Sequence, residues 1–363
     1  MPRAVRFFLK LLSVIIASAL VVSALVLGGV AFFNSPPPGN NDPFGPKLRI
    51  TAMDGMRLED SALFLEVRNG ETAYSVGSRL ENAGVIRNRY LWYMLFRLDR
   101  EFMKTGTYRI ELPATQMQIR SLLISGDQLL VRITIPEGVT LKKTARVIED
   151  AGICGAEDFL NAASSREILS SYSIPGTTME GYLFPDTYLF PLGYPASKVV
   201  SAMADTFFRR LEKINSETGG RTFNSTELNR RVIIASIVER EYRVAEEAAR
   251  MAGVFYNRLQ IGMALQSCAT VEYVITEIEG RPHPEILYNR DLEIRNPYNT
   301  YLRPGLPPGP ISAPGEIALK AALAPEQTNY LYFRLMDLGT GQHYFSRTLD
   351  DHIRAGALYV KGR

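Results

Sequence analysis

Residues Val67–Ile86 read VRNGETAYSVGSRLENAGVI, and residues Ile135–Cys154 read IPEGVTLKKTARVIEDAGIC. Set beneath each other without a gap, they share Gly70 and Gly138, Thr72 and Thr140, Glu81 and Glu149, Ala83 and Ala151, and Gly84 and Gly152. One physical plan underlies both. An apolar strand end enters a turn whose glycine can take positive φ, a threonine caps an amphipathic helix, and a second glycine ends it. In the second copy Leu141, Ala145 and Ile148 recur at i, i+4 and i+7 behind Thr140, the stripe of a helix that packs on a sheet. A further helix is expected after each copy, from Arg89 to Arg97 and from Ala156 to Ala163, while Thr107 to Leu112 and Leu130 to Ile135 are rich in β-formers and supply strands. The fold class is therefore α+β.

Composition bounds what such a chain can do. With 46% hydrophobic and 22% charged residues among 363, the sequence is neither disordered, collagenous nor a coiled coil, and its length suits about two domains after any anchor. Forty-one Lys and Arg against 38 Asp and Glu leave a net charge of +3, too weak a bias for a nucleic-acid surface. Two Cys and three His, without metal-ligand spacing, predict neither a metal site nor another cofactor. Cys154 and Cys268 read as free buried thiols, with a pairing between them left open.

Leu11 to Phe33, LLSVIIASALVVSALVLGGVAFF, holds no charge, and at 1.5 Å per residue it makes about 35 Å of helix, enough to cross a hydrocarbon core of about 30 Å. This predicts an uncleaved transmembrane helix over 11–33. The competing reading, a cleaved signal peptide, has a shorter apolar stretch and a small-residue cleavage site. Arg3, Arg6 and Lys10 precede the apolar run and no positive charge follows it through Asn41, so residues 1–10 are expected as a cytoplasmic tail, with the body outside the membrane. Residues 34–60 read as a linker that begins with the stiff Pro36–Asn41 spacer. The repeat-bearing region then covers 61–173, and a second domain covers 174–363.

In that second domain Glu180 to Pro191, EGYLFPDTYLFP, cannot be regular helix because of Pro185 and Pro191, and it reads as a buried extended linker. A helix from Ser197 to about Lys213 is expected next. The following helix, capped by Ser225 or Thr226, carries Val232, Ile233, Ile234, Ile237 and Val238 and then Glu239. A carboxylate beside so apolar a surface is a candidate general acid, because desolvation disfavours its charged form. Alternatively Glu239 pairs with Arg243 at i+4 on a solvated face. Glu241 lies about 200° further around the helix and faces away from Glu239. Pro297 to Pro314 holds six prolines and two glycines, which read as a pre-formed wall or a structural Ω-loop. Tyr330–Met336 and Gln342–Ser346 read as a terminal β-hairpin, with His343 and His352 as structural or surface residues.

Four stretches in this order, IASIVEREY from Ile234, AGVFYNRLQIGMALQS from Ala252, YNTY from Tyr298 and GLPPGPIS from Gly305, closely resemble the endolytic murein transglycosylases, the MltG or YceG-like family. The resemblance runs from the anchor to Phe345. The repeats resemble a LysM module, a family that binds N-acetylglucosamine polymers, so the region over 61–173 is expected either to bind glycan or to act as a spacer. Resemblance to the transglycosylases implies that Glu239 is the catalytic acid/base and that Gln266, Asn299 and Tyr301 are substrate-cleft residues. One departure stands out. Where the family pattern has L-Q-[ST]-D-P-T-V, Leu265–Val271 reads LQSCATV, with Cys268 for an acid and Ala269 for proline.

The activity implied is cleavage of the MurNAc-β-1,4-GlcNAc bond of peptidoglycan to leave a 1,6-anhydroMurNAc end, terminating nascent strands beside peptidoglycan synthases. The rivals are a muramidase, for which Asp291, Glu293 and Glu272 are available second carboxylates, and a non-catalytic glycan-binding scaffold.

Overall fold

The computed structural model describes residues 3–37, 55–59, 62–337 and 339–359. Residues 1, 2, 38–54, 60 and 61, and with them most of the expected linker and part of the expected tail, lie outside the described residues. The fold is mixed α+β and divides into two compact units, Met1–Leu130 with Pro191–Gly193, and Val131–Phe190 with Tyr194–Arg363.

The first unit opens with α1 (Arg3–Asn34), in which Lys10–Asn34 has a mean hydropathy of 2.6 and is long and apolar enough to cross a membrane. Strands β1 (Met56–Glu59), β2 (Ala62–Val67) and β3 (Gly106–Glu111) form an antiparallel sheet in that order, with Leu63 opposite Leu58 and Ile110. Helices α2 (Ala73–Asn82), α3 (Arg89–Asp99) and α4 (Gln116–Ser125) complete it. Leu63, Leu65, Val76, Leu80, Trp92, Tyr108, Ile119 and Leu123 share one core. Trp92 is fully buried and its indole N–H donates to the Ala73 carbonyl at 2.8 Å, so its apolar area is removed from water without stranding its one donor.

The second unit contains β4 (Leu130–Thr134), α5 (Leu141–Asp150), α6 (Ala156–Ala163), α7 (Arg166–Ser171), β5 (Thr187–Pro191), α8 (Ala196–Glu217), α9 (Ser225–Glu241), α10 (Ala248–Gln260), α11 (Cys268–Tyr273), α12 (Asn289–Leu292), α13 (Glu316–Leu323), the antiparallel hairpin β6 (Tyr332–Leu335) and β7 (His343–Ser346), and α14 (Leu349–Tyr359). A π-helical turn, Val274–Ile278, follows α11. The two repeats behave alike in detail. Gly70 and Gly138 take φ of 77° and 74°, Thr72 and Thr140 cap their helices from β-region backbone, and Gly84 and Gly152 take φ of 75° and 70°.

They nevertheless belong to different units. The first copy packs on the three-stranded sheet, whereas Ile135, Leu141, Ala145 and Ile148 of the second enter the same core as α8, α9, α10 and α13. That differs from a boundary at residue 173, because the stripe read on α5 has its partner in the second domain. Helix α9 is the centre of this core. Val232 to Val238 are buried on every side, against α10, α11 and α13, and each large aliphatic chain there contributes about 1.5–3 kcal/mol by leaving water. Its cap is Asn224, whose side chain accepts from the Glu227 N–H at 2.9 Å, and not the Ser225 or Thr226 expected. Helix α8 starts at Ala196 without a side-chain cap, not at a Ser197 cap, and extends to Glu217.

Candidate active site

Glu239 is where α9 leaves the core. The seven residues before it are buried, and Glu239 is half-buried, so its carboxylate emerges from apolar packing at the last turn of the helix. Arg243 is not its partner. The Gly315 N–H donates to Glu239 Oε2 at 2.9 Å, from the N-cap position of α13. Burial pushes the Glu239 carboxyl up to about 7. The Gly315 N–H and the Arg240 charge pull the other way, and the Glu137 charge adds to the rise. Such a group is shared between its acid and base forms near neutrality, the condition for donating a proton and taking one back.

Glu137 reaches this place through the second repeat. Its neighbour Gly138 donates its N–H to the Ala313 carbonyl at 2.9 Å, and the Ala313 N–H donates to the Val139 carbonyl at 2.8 Å, so the repeat's turn is stitched to the segment before Gly315. A Cβ on Gly138 would lie 3.6 Å from Glu239 Cγ. A Cβ on Gly315 would lie 1.9 Å from Glu137 Oε1. Gly315 thus gives its N–H to one carboxylate and the bare side of its Cα to the other. The proline-rich segment is pinned as well, since the Ile311 N–H donates to Ser236 Oγ at 3.0 Å and Ser312 Oγ donates to the Ser236 carbonyl at 3.0 Å. This is a wall fixed to α9.

Glu180 braces the same turn from beneath. It is buried, and both its oxygens accept from the Leu141 N–H at 3.0 Å, closing the first turn of α5. Burial raises its pKa to about 8 against that bond and against the Tyr273 hydroxyl, with Glu277 adding to the rise. A carboxyl near 4.5 in the unfolded chain and near 8 in the folded one binds its proton more tightly when folded. Its contribution to stability is therefore complete below about pH 4.5 and is lost as pH rises to about 8. We expect the melting temperature to fall by several degrees between pH 5 and 8, and Glu180→Gln to remove at least about 3 °C of that fall in thermal melts. An unchanged slope in the variant would show that Glu180 titrates normally.

Gln266 and Tyr301 lie elsewhere on α9's surroundings. They line a cavity of about 510 Å³ together with Arg240, Glu241, Arg258 and Cys268. Gln266 sits at φ 49°, an uncommon conformation for a side-chain-bearing residue, held by its N–H to the Thr300 carbonyl at 3.1 Å. Cys268 Sγ is 3.1 Å from Tyr301 Oη, and the thiol is exposed, not buried. Ser267 Oγ donates to Glu241, whose carboxyl burial shifts upward. Asn299 is fully buried: its amide donates to the Leu292 and Ile294 carbonyls at 2.9 Å, and its oxygen accepts from the Tyr301 N–H at 2.9 Å. It holds the loop that presents Tyr301. Glu239 and Glu241 face different surroundings, as their angular separation on the helix requires, and Gln266 and Tyr301 gather on the Glu241 side.

A profile of the YceG-like family matches residues 65–357. The chain belongs to the YceG-like family. It is 28% identical over 319 residues to an endolytic murein transglycosylase of Bacillus subtilis, covering 82% of this chain and 85% of that one. It is 26% identical to an endolytic murein transglycosylase of Streptococcus pneumoniae, of which it covers only 58%. A crystal structure of a yceG-like protein from Listeria monocytogenes superposes with a TM-score of 0.54 at 30% identity, over 82% of this chain and 99% of that one. The match to the YceG-like family takes in both repeats, Glu180, Glu239 and the hairpin. Glu137 and Glu180 were not singled out from the sequence. A signal for Glu137 is visible in the repeat, where the first copy has Asn69 at the position that Glu137 takes in the second.

Proposed function

We propose that this chain is a membrane-anchored endolytic transglycosylase of peptidoglycan that cuts the MurNAc-β-1,4-GlcNAc bond and leaves a 1,6-anhydroMurNAc end. The reading draws on the curated relatives named endolytic murein transglycosylase. The observation that carries it is the Glu239 carboxyl, poised near pH 7 at the edge of an apolar helix and steadied by one backbone N–H. Glu239, as the neutral acid, protonates the departing glycosidic oxygen. Its carboxylate then takes the proton of the muramyl C6 hydroxyl while that oxygen closes on C1. One carboxylate suffices, because the substrate supplies its own nucleophile. Gln266 and Tyr301 are proposed substrate contacts, with Asn299 acting through the loop it braces.

The apolar span Lys10–Asn34 supports single-pass anchoring in the cell membrane, with the N-terminus cytoplasmic and the catalytic body extracytoplasmic. In that setting the enzyme would end nascent strands beside peptidoglycan synthases. Glycan contact by the LysM-like region has its best support at the second copy, whose turn lies against Glu239. A muramidase is the second reading, because Glu137 supplies a carboxylate beside the acid. Glu272 is engaged by Arg240 at 2.9 Å, and Asp291 accepts from the Tyr288 N–H of its own turn. Digestion of isolated peptidoglycan followed by mass measurement of the fragments decides between them. Anhydro ends are expected; reducing ends would establish the muramidase, and intact strands a scaffold.

A further inference from the structure

The cavity beside Glu241 carries an excess of positive charge that acid–base chemistry at Glu239 does not use. Four guanidiniums line it from separate places: Arg240 on α9, Arg243 just beyond α9, Arg258 on α10 and Arg334 on β6. Arg240 is matched by Glu272 at 2.9 Å. The other three have no carboxylate partner among the described residues. Arg258 donates only to carbonyls, at 2.6 Å to Leu331 and 2.7 Å to Leu265, while Arg243 is exposed. Arg334 reaches the His352 carbonyl at 3.4 Å, and its buried Nε has no partner; His352 Nδ1 is likewise buried and unpartnered. Glu241 is the one acid on the wall and burial favours its neutral form, while His343 is tied to Glu247 at 2.8 Å. A buried guanidinium donor without an acceptor is costly, and a carboxylate matches its planar fork.

One residue of the cavity wall, Arg240, reaches the surroundings of the proposed acid. Arg240 follows Glu239 in α9, and the same Gly138 Cβ position lies 3.4 Å from Arg240 Cδ and 3.6 Å from Glu239 Cγ. In murein the sugar whose C1–O bond is cut also carries, through its lactyl ether, a short peptide with several separated carboxylates. Cations spread over separate elements, between the aromatic faces of Tyr301, Tyr332 and Phe333, suit a peptide of that kind better than one compact anion.

We propose that the cavity is a subsite for the carboxylates of the peptide borne by the glycan strand. The inference rests on the transglycosylase reading, and the test separates the two. The full chain in detergent micelles is given peptide-bearing strands and the same strands stripped of peptide by an amidase. The wild-type protein should show a kcat/KM about tenfold higher on the peptide-bearing strands, the worth of one charge-assisted hydrogen bond. Arg243→Gln and Arg334→Gln should each erode that advantage through KM while leaving stripped strands cut at the wild-type rate. Equal wild-type rates on both substrates, or variants that slow both equally, would overturn the subsite. If neither substrate is cut, the transglycosylase reading fails, and co-sedimentation with peptide-bearing against stripped strands still judges the subsite. Arg243 is exposed, so Arg243→Gln remains informative if Arg334→Gln does not fold.

Discussion

Glu239→Gln should lower the rate of strand cleavage by about 10²–10⁴, the usual worth of a general acid and base. The amide keeps an oxygen for the Gly315 N–H but can neither donate an acidic proton nor recover one. Stability should move the other way. Burial pushes the wild-type carboxyl up to about 7 in the fold against about 4.5 in the unfolded chain, so Glu239 contributes a loss of stability as pH rises between those values, and the Gln variant lacks that contribution while keeping the one from Glu180. At pH 8 the variant should melt no lower than the wild type. A surface ion pair with Arg243 predicts the reverse pattern, intact activity with up to about 1 kcal/mol lost. Glu241→Gln is the comparison. Ser267 can still donate to an amide oxygen, and Glu241 faces away from Gly315 and Glu137, so its loss should stay far below that of an acid catalyst. Initial rates of anhydro-end release settle the matter. Equal losses at the two positions would move the acid into the cavity.

Much of this was legible in the chain because periodicity reports burial. The apolar run Val232–Val238 announced a core helix, and Glu239 stood out as the first charge after it. The repeats announced their turns and caps through Gly70, Gly138, Thr72 and Thr140, each of which holds a backbone conformation or a donor that few other residues could. Long-range company was not legible. Nothing in its own turn marks Glu137, since only the pairing of Gly138 and Val139 with Ala313 brings it to Gly315. Glu180 lay within a segment noted for its prolines and aromatics, and its role depends on the Leu141 N–H, far away in the chain. Asn299 shows the opposite case. The resemblance implied a substrate-cleft residue, whereas both its amide N–H donors and its oxygen are engaged by nearby backbone.

Gly315→Ala should behave like the loss of Glu137, although it leaves that side chain in place. The backbone at Gly315 has φ of −80°, which alanine adopts without strain, so the effect of the methyl comes only from space. It would sit 1.9 Å from Glu137 Oε1, and the flexible carboxylate is the partner that can yield. Its displacement removes a negative charge that raises the Glu239 pKa, while Arg240, which lowers it, and the neutral Tyr242 stay in place. The Glu239 pKa then falls. Because the free enzyme must carry the proton to begin the reaction, the alkaline limb of the kcat/KM profile should move to lower pH. Each unit of that movement would cut the protonated fraction on the alkaline side about tenfold. Glu137→Gln should move the limb in the same direction, and the double variant no further than either alone, because both changes abolish one interaction. Additive shifts would mean that Gly315 and Glu137 act on Glu239 separately. A profile unmoved in both single variants would leave desolvation alone to set its pKa, and a fall in the acidic limb of Glu137→Gln, with hydrolytic ends lost, would assign Glu137 the water-activating role of the muramidase reading.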